Sequence, residues 1–401
     1  MKNFFRNIHL YLSLACGLVI AVVCFTGAAL VFEKELQQTI YPERYKVEAG
    51  QNRVPLEQLV TELKSKVPGA KVNSVKVYDN PTRSVELSYS LEDGTKKAEV
   101  KHEDGSKGKE EKGKGEKGKG GGSQAFMNPY TGELISLYTH RNSFFYTMFA
   151  LHRWLLVDEP GKLIVGISTS MFLFIILTGI ILWWPKKMKA LKQRLTLKLN
   201  GGWKRINHDL HIVIGFYTAI FLFAFAFTGL AWSFEWFNDA IYTVTGTENK
   251  RPEPPLSTVQ VGATPITFDK AFTIAKTELP DAEFYTLGTA KDSAEAITIT
   301  AMPKDAAHER ASNQIYLDQY SGARIGQNFF AERNLGQRVR ATFYPVHVGS
   351  IGGLPGRIIA FLSCLAGFTF PITGIILWIN RLNKQKKKNR KFKRSTSSEL
   401  V

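Results

Sequence analysis

The sequence predicts a membrane α-helical protein: a four-span bundle built from two parallel repeats, each half carrying a small α+β domain on the outer side of the membrane. Three observations predict this. The 401 residues are 44% hydrophobic with a mean hydropathy of only -0.12, yet the apolar residues gather in four runs, Leu10–Phe32, Leu163–Trp184, Ile212–Trp232 and Ile358–Ile379. Each run is long enough to cross a hydrocarbon core of roughly 30 Å as a helix rising about 1.5 Å per residue. The stretch TGIILW closes the second run at Thr178–Trp183 and the fourth at Thr373–Trp378, 195 positions apart. Basic residues follow both copies, and short loops rich in Lys and Arg stay cytoplasmic.

In chain order this gives a cytoplasmic N-terminus (1–9), a first span (10–32), an outer domain (33–151), and an outer-face His segment with the second span (152–184). A basic cytoplasmic loop (185–207), a third span (208–232) and a second outer domain (233–346) follow. The chain ends in another outer-face His segment with the fourth span (347–379) and a basic cytoplasmic tail (380–401). The loop from Pro185 to Asn207 holds eight Lys/Arg and no acid, and the tail from Arg381 to Arg394 holds nine and no acid. The net charge of +17 therefore reflects orientation and affinity for anionic lipid, and no nucleic-acid partner is needed to explain it. The first run resembles a signal peptide in its basic start and small residues, but its close relative recurs deep in the chain, so it is expected to be retained.

The repeat extends beyond TGIILW. At the same offset Pro160-Gly161-Lys162 meets Pro355-Gly356-Arg357, and His152 meets His347; FTGAALVFE (Phe25–Glu33) meets FTGLAWSFE (Phe227–Glu235) at an offset of 202, which places His9 on His211. Both halves begin inside, so the repeat is parallel. Between spans, Leu56–Val67 and Phe268–Leu279 have helical apolar spacing, and SVELSYSL, AITITAMP and QIYLDQYSGARI read as strands. Each outer segment is expected to be one helix on its own antiparallel sheet. The Lys/Glu/Gly tract His102–Ser123 has nothing to bury and is expected to be a disordered insert. Cys16, Cys24 and Cys364 all lie in spans and read as small packing residues.

Four histidines carry the chemistry. His9 and His211 lie at the cytoplasmic ends of spans one and three, His152 and His347 just before spans two and four, and a coordinating residue at a membrane boundary is a functional candidate. A ligand on the pseudo-two-fold axis needs one donor from each half, an arrangement suited to a six-coordinate haem. Ser13 and Gly17 follow His9 at one and two turns, and Gly215 and Ala219 follow His211. They offer clearance for a flat macrocycle, or serve equally as small helix contacts. Arg153, Lys162 and Arg357 flank the second pair where propionates would emerge, or anchor helix ends. His208, one turn from His211, is an alternative ligand of the inner site.

The stretches HLYLSLACGLVIAVVCFTGAAL, LHRWLLVDEPGKLIVGISTSMFLFIILTGIILWWPKK and HDLHIVIGFYTAIFLFAFAFTGLAWSFEWF, with YTGEL and YSGAR in the outer segments, resemble the PepSY-associated transmembrane proteins. This is a family of iron-regulated bacterial inner-membrane proteins that includes di-haem ferric-siderophore reductases. The resemblance covers nearly the whole chain, with two departures: the Lys/Gly insert in the first outer segment, and His208 as a second candidate ligand one turn from His211. It implies two PepSY-like periplasmic domains, two b-type haems on His9, His211, His152 and His347, and electron flow outwards to a ferric siderophore or other ferric chelate. No G-x-G-x-x-G follows a predicted strand, and there is no P-loop or H-E-x-x-H, so the electron donor would be a separate cytoplasmic reductase or a quinol. The competing reading is a non-catalytic anchor whose PepSY units bind or restrain periplasmic peptidases.

Overall fold

The computed structural model describes residues 1–91, 122–185, 187–198, 200–250, 252–259 and 262–398, with side chains as far as residue 389. The tract His102–Ser123 lies outside the described residues except for its last two, and Ser123 already opens a strand. The chain forms two compact units, one from Met1–Phe32, Thr147–Ala240 and Phe343–Val401, the other from Glu33–Tyr146 and Ile241–Thr342.

The first unit holds four helices long and apolar enough to cross a membrane: Lys2–Val31, Asp158–Trp183, Trp203–Ser233 and Ser350–Asn389. The first packs on the second and fourth, and the third packs on the same two. Cys16, Ile20, Cys24, Phe172, Ile176, Ala219, Leu222 and Ala226 form their common core. Leu18 is 81% exposed and Ile220 71%, a surface that suits hydrocarbon and not water. The first and third helices start at Lys2 and Trp203, ahead of the predicted 10 and 208, because a hydropathy run marks only the continuously apolar part of a helix, while the mixed, charge-bearing turns before it carry no glycine or proline to stop it. His9 and His211 therefore lie within helices and not at their ends. His211 sits in a π-helical turn, Leu210–Ile214, a local widening that recurs at functional sites. The basic loop is partly ordered, with a 3-10 turn at Met188–Ala190 and a short helix at Leu191–Leu195.

His152 and His347 belong to separate helices, Phe144–Trp154 and Leu335–His347, which end just before the second and fourth apolar helices begin. The first reversal runs through Leu155, Leu156 and Asp158, all left-handed (φ 53, 61 and 49°); the second uses Gly349 and Gly353 (φ 74 and 60°). The repeated Pro-Gly-basic motif is explained here. A Cβ on Gly161 would run into the Trp154 carbonyl, and one on Gly356 into the Gly349 carbonyl. Only glycine lets each apolar helix start so close to the turn that precedes it.

The second unit is an eight-stranded antiparallel sheet under two helices. Its strands are β1 (Ala70–Tyr78), β2 (Val85–Leu91), β3 (Ser123–Met127), β4 (Leu134–Thr139), β5 (Ala282–Gly288), β6 (Ile297–Pro303), β7 (Asn313–Leu317) and β8 (Arg324–Asn328). They stand in the order β4-β3-β2-β1-β5-β6-β7-β8. The expectation of two separate sheets is thus corrected: β1 and β5 pair antiparallel, with Val75 opposite Leu287 and Val77 opposite Tyr285. Each would otherwise be an edge with a row of unpaired backbone groups, and joining them satisfies both. Val75, Leu87, Leu287, Ile299 and Ile315 are fully buried beneath helices Leu56–Lys66 and Phe268–Glu278 in one core. The helices cap each other. The Leu56 N–H donates to both Asp269 carboxylate oxygens (3.0 and 3.1 Å), and the Phe268 N–H donates to Glu57 Oε1. Each carboxylate supplies a negative charge to the partner helix's N-terminus.

The turns of YTGEL and YSGAR share a device. Asn128 Oδ1 accepts the Tyr130 and Thr131 N–H groups, and Asp318 Oδ1 accepts those of Tyr320 and Ser321 while Oδ2 accepts the Thr258 N–H. Gly132 and Gly322 then take φ of 81 and 79°. The N–H of Ser321 foremost, then that of Thr258, holds the Asp318 carboxyl below its ordinary value. A lowered folded-state value means that the stabilisation is complete above the unfolded carboxylate value and is lost as pH falls through the folded one. Asp318→Ala is expected to cost roughly 1–3 kcal/mol at neutral pH. Asp318→Asn should keep the turn, as Asn128 does, and remove its acid sensitivity; denaturant unfolding of the full chain at pH 7 and below 4 checks both.

Candidate functional site

The four histidines meet in two pairs, each drawing one ring from either half of the chain. The ring centres of His9 and His211 lie 6.4 Å apart, with the planes at 81°; those of His152 and His347 lie 6.0 Å apart at 71°. Each ring is held by the other apolar helix of its own half. His9 Nδ1 is 3.0 Å from the Ile175 carbonyl oxygen and 3.1 Å from Thr178 Oγ1, and His152 Nδ1 is 2.9 Å from the Val23 carbonyl and 3.3 Å from Thr26 Oγ1. In the second half, His347 Nδ1 lies 2.9 Å from the Phe225 carbonyl and 3.1 Å from Thr228 Oγ1, while His211 Nδ1 has Thr373 Oγ1 at 2.8 Å.

These partners determine the tautomer. A carbonyl only accepts, so Nδ1 of His9, His152 and His347 carries the proton. Thr373 donates its own proton to the carbonyls of Thr369 and Phe370 (3.0 and 3.2 Å), so its oxygen accepts from His211 as well. All four Nε2 atoms are left with a free lone pair. A metal-ligating histidine is oriented in this way, with its other nitrogen donating to a carbonyl or similar group.

Each threonine precedes a glycine, and the pair works as a unit. The hydroxyl turns back onto its own helix, as Thr178 does to Phe174 and Ile175 (2.8 and 3.0 Å), and offers its oxygen to the ring. The glycine beside it gives the ring room. A Cβ at Gly179 would stand 3.3 Å from His9 Cε1, at Gly374 3.3 Å from His211 Cε1, at Gly27 3.2 Å from His152 Cε1 and at Gly229 3.2 Å from His347 Cε1. The repeated TGIILW and FTG are therefore four copies of one histidine seat. Their recurrence was visible in the sequence, but their partners were not.

A cavity of about 240 Å³ opens at His9 and His211, somewhat below the roughly 300–1,000 Å³ usual for ligand pockets. Ser13, Gly17, Gly215 and Ala219, singled out for clearance, line it, as do Phe172 and Phe370. Two lining residues that the sequence did not single out are Arg6 and Arg381. His208 is not part of it. Its Nδ1 pairs with the Asp209 carboxylate at 3.1 Å and its side chain is 49% exposed. Asp209 is itself buried, and also accepts from Arg205 Nε (2.8 Å) and the Lys198 N–H (3.2 Å). Asn207 Nδ2 donates to the Thr373 carbonyl at 3.2 Å, tying this segment to the seat of His211.

The three cations named for the second pair differ in setting. Arg153 donates to the Trp232 carbonyl at 3.4 Å, Lys162 pairs with Glu159 at 3.4 Å, and Arg357 is half-buried on the fourth helix. Among the described residues no cluster of three or more His, Cys, Asp or Glu could hold a metal ion, so each histidine pair offers two protein donors and no third.

Four membrane-length helices joined to an antiparallel sheet, with paired histidines inside the helical unit, define a membrane protein carrying PepSY-like domains. The chain belongs to the family described as the PepSY-associated TM region, whose model matches residues 6–381. No curated protein matches it. Among solved structures it is similar to a chain described as a lipoprotein from Clostridium difficile 630, at 8% identity and a TM-score of 0.25, over 71% of this chain and 98% of that one.

Proposed function

We propose that this protein is a transmembrane electron conduit with two b-type haems, one on His9 and His211 and one on His152 and His347, that reduces a ferric complex such as a ferric siderophore. The observation that carries the reading is the doubled pair of imidazoles, each with Nδ1 anchored and Nε2 free. Two imidazoles on opposite sides of one metal, at about 2.0–2.1 Å per bond, have ring centres roughly 6 Å apart once the ring radii are added. The observed separations are 6.4 and 6.0 Å. Two donors are too few for a bare ion but suffice where a macrocycle supplies the other four. Bound haem would contribute one-electron exchange. Held by both histidines of a pair, it would be suited to passing electrons and not to binding oxygen.

The residues of the chain have supporting roles. The Thr-Gly seats hold the rings in the ligating tautomer, and apolar side chains such as Phe172, Leu222 and Phe370 form most of the cavity wall. On this reading the chain consists of two parallel repeats in a bacterial inner membrane, both termini cytoplasmic and the sheet unit periplasmic. The donor is a cytoplasmic reductase or quinol, and the acceptor meets the protein on the His152–His347 side. Detergent-purified protein from haem-sufficient cells is expected to show a low-spin bis-imidazole spectrum and about two haems per chain. A folded, colourless preparation would overturn the proposal in favour of an anchor that displays PepSY units to peptidases.

A further inference from the structure

The cavity at His9 and His211 has a polar end that the histidines do not explain. Arg6 and Arg381 both line it, and no Asp or Glu does. Arg6 lies three residues before His9, and Arg381 seven residues beyond Gly374, the glycine against His211. The first and fourth helices run antiparallel, since Gly17 faces Pro371, Cys24 faces Gly367 and Gly27 faces Cys364. Both offsets therefore lead to the same end of the cavity, about 5 Å and about 10 Å along the axis from the ring seats, within reach of an arginine side chain. Arg6 Nε is buried without a hydrogen-bond partner. Arg6 is half-buried and Arg381 exposed at the mouth, so what the pair lacks is a counter-charge: two like charges repel each other beside an apolar cavity whose lining holds no acid, and an anionic ligand would relieve both that repulsion and the unpaired Arg6 Nε. The complement is a molecule with an apolar body and two anionic groups along one edge.

We propose that Arg6 and Arg381 bind the two propionates of the haem held by His9 and His211. The inference rests on the haem reading and adds the orientation of the macrocycle: its carboxylate edge points toward the N-terminus of the first helix, its apolar edge toward Ile20 and Leu222, which line the cavity further along. Guanidinium forks match carboxylates in geometry and stay charged, so they can neutralise the propionates where a neutral donor would not.

The test is a spectral titration of full-length protein made in haem-deficient cells, carrying His152→Ala so that only the His9–His211 pair can form a bis-imidazole site. Arg6→Gln and Arg381→Gln are each expected to weaken haem b binding roughly tenfold, and together roughly a hundredfold. Binding of haem dimethyl ester, whose propionates carry no charge, should be the same with and without the arginines. Arg6→Lys should retain most of the affinity, which separates loss of charge from misfolding. Equal losses for haem b and its ester, or no loss for either, would overturn the proposal. Unchanged haem binding with loss of co-purifying anionic lipid would overturn it too and assign the pair to a phosphate headgroup. A parent protein that forms no bis-imidazole haem at all would remove the haem reading, and this proposal with it.

Discussion

His9→Ala and His211→Ala are each expected to abolish the bis-imidazole spectrum of one haem and leave that of the other, with His152→Ala and His347→Ala doing the reverse. Each pair has only two protein donors, and the described residues offer no third to replace a lost one. The remaining ring would still be seated, because its partners lie in its own half: His211 keeps Thr373 when His9 is gone, and His347 keeps Phe225 when His152 is gone. The altered site should therefore become five-coordinate and high-spin, or empty, while the intact site reports that the fold survives. His208→Ala serves as the control. The ring of His208 is committed to Asp209 and half exposed, so its loss should leave both spectra unchanged. Loss of a bis-imidazole signal from His208→Ala together with survival of both in His211→Ala would overturn the assignment.

The glycines of the four seats should be nearly as sensitive as the histidines. At Gly179, Gly374, Gly27 and Gly229 an added Cβ meets the facing Cε1 at 3.2–3.3 Å, so alanine asks for a shift of a few tenths of an ångström. The two further methyl groups of valine reach into the ring and must turn it. Gly374→Val and Gly229→Val are each expected to lower haem occupancy at the facing histidine by one to two orders of magnitude, the range found when groups that orient metal ligands are lost. The threonines should be unequal. Thr178→Val leaves His9 its bond to the Ile175 carbonyl, whereas Thr373→Val removes the hydroxyl that holds His211. Haem stoichiometry across this set, read from pyridine haemochrome spectra, checks the ranking, and equal tolerance of valine at all four glycines would contradict the seat geometry.

The sequence alone was sufficient for the four apolar helices, the two helices that cover the sheet, the strands β2, β6 and β7, and the matched histidines; β1, β3, β4 and β5 were not singled out. These features are local: apolar runs, periods of 3.6 and 2, and duplicated motifs are all written along one stretch of chain at a time. It was also sufficient to find TGIILW and FTG, and to see that each recurs. What the Thr-Gly pairs do was decided by tertiary structure, because their hydrogen bonds join residues 119 to 169 positions apart on different helices and depend on how each helix is rotated about its axis. The same holds for Arg6 and Arg381, distant in sequence and neighbours only because the first and fourth helices are antiparallel. His208 and His211 share a helical face on paper. A π-helical turn and the Asp209 carboxylate separate their roles, and neither leaves a mark in the spacing of residues. The joining of β1 to β5 was likewise invisible, since an edge strand offers its backbone groups to any partner and the side chains of Val75 and Leu287 say only which face is buried.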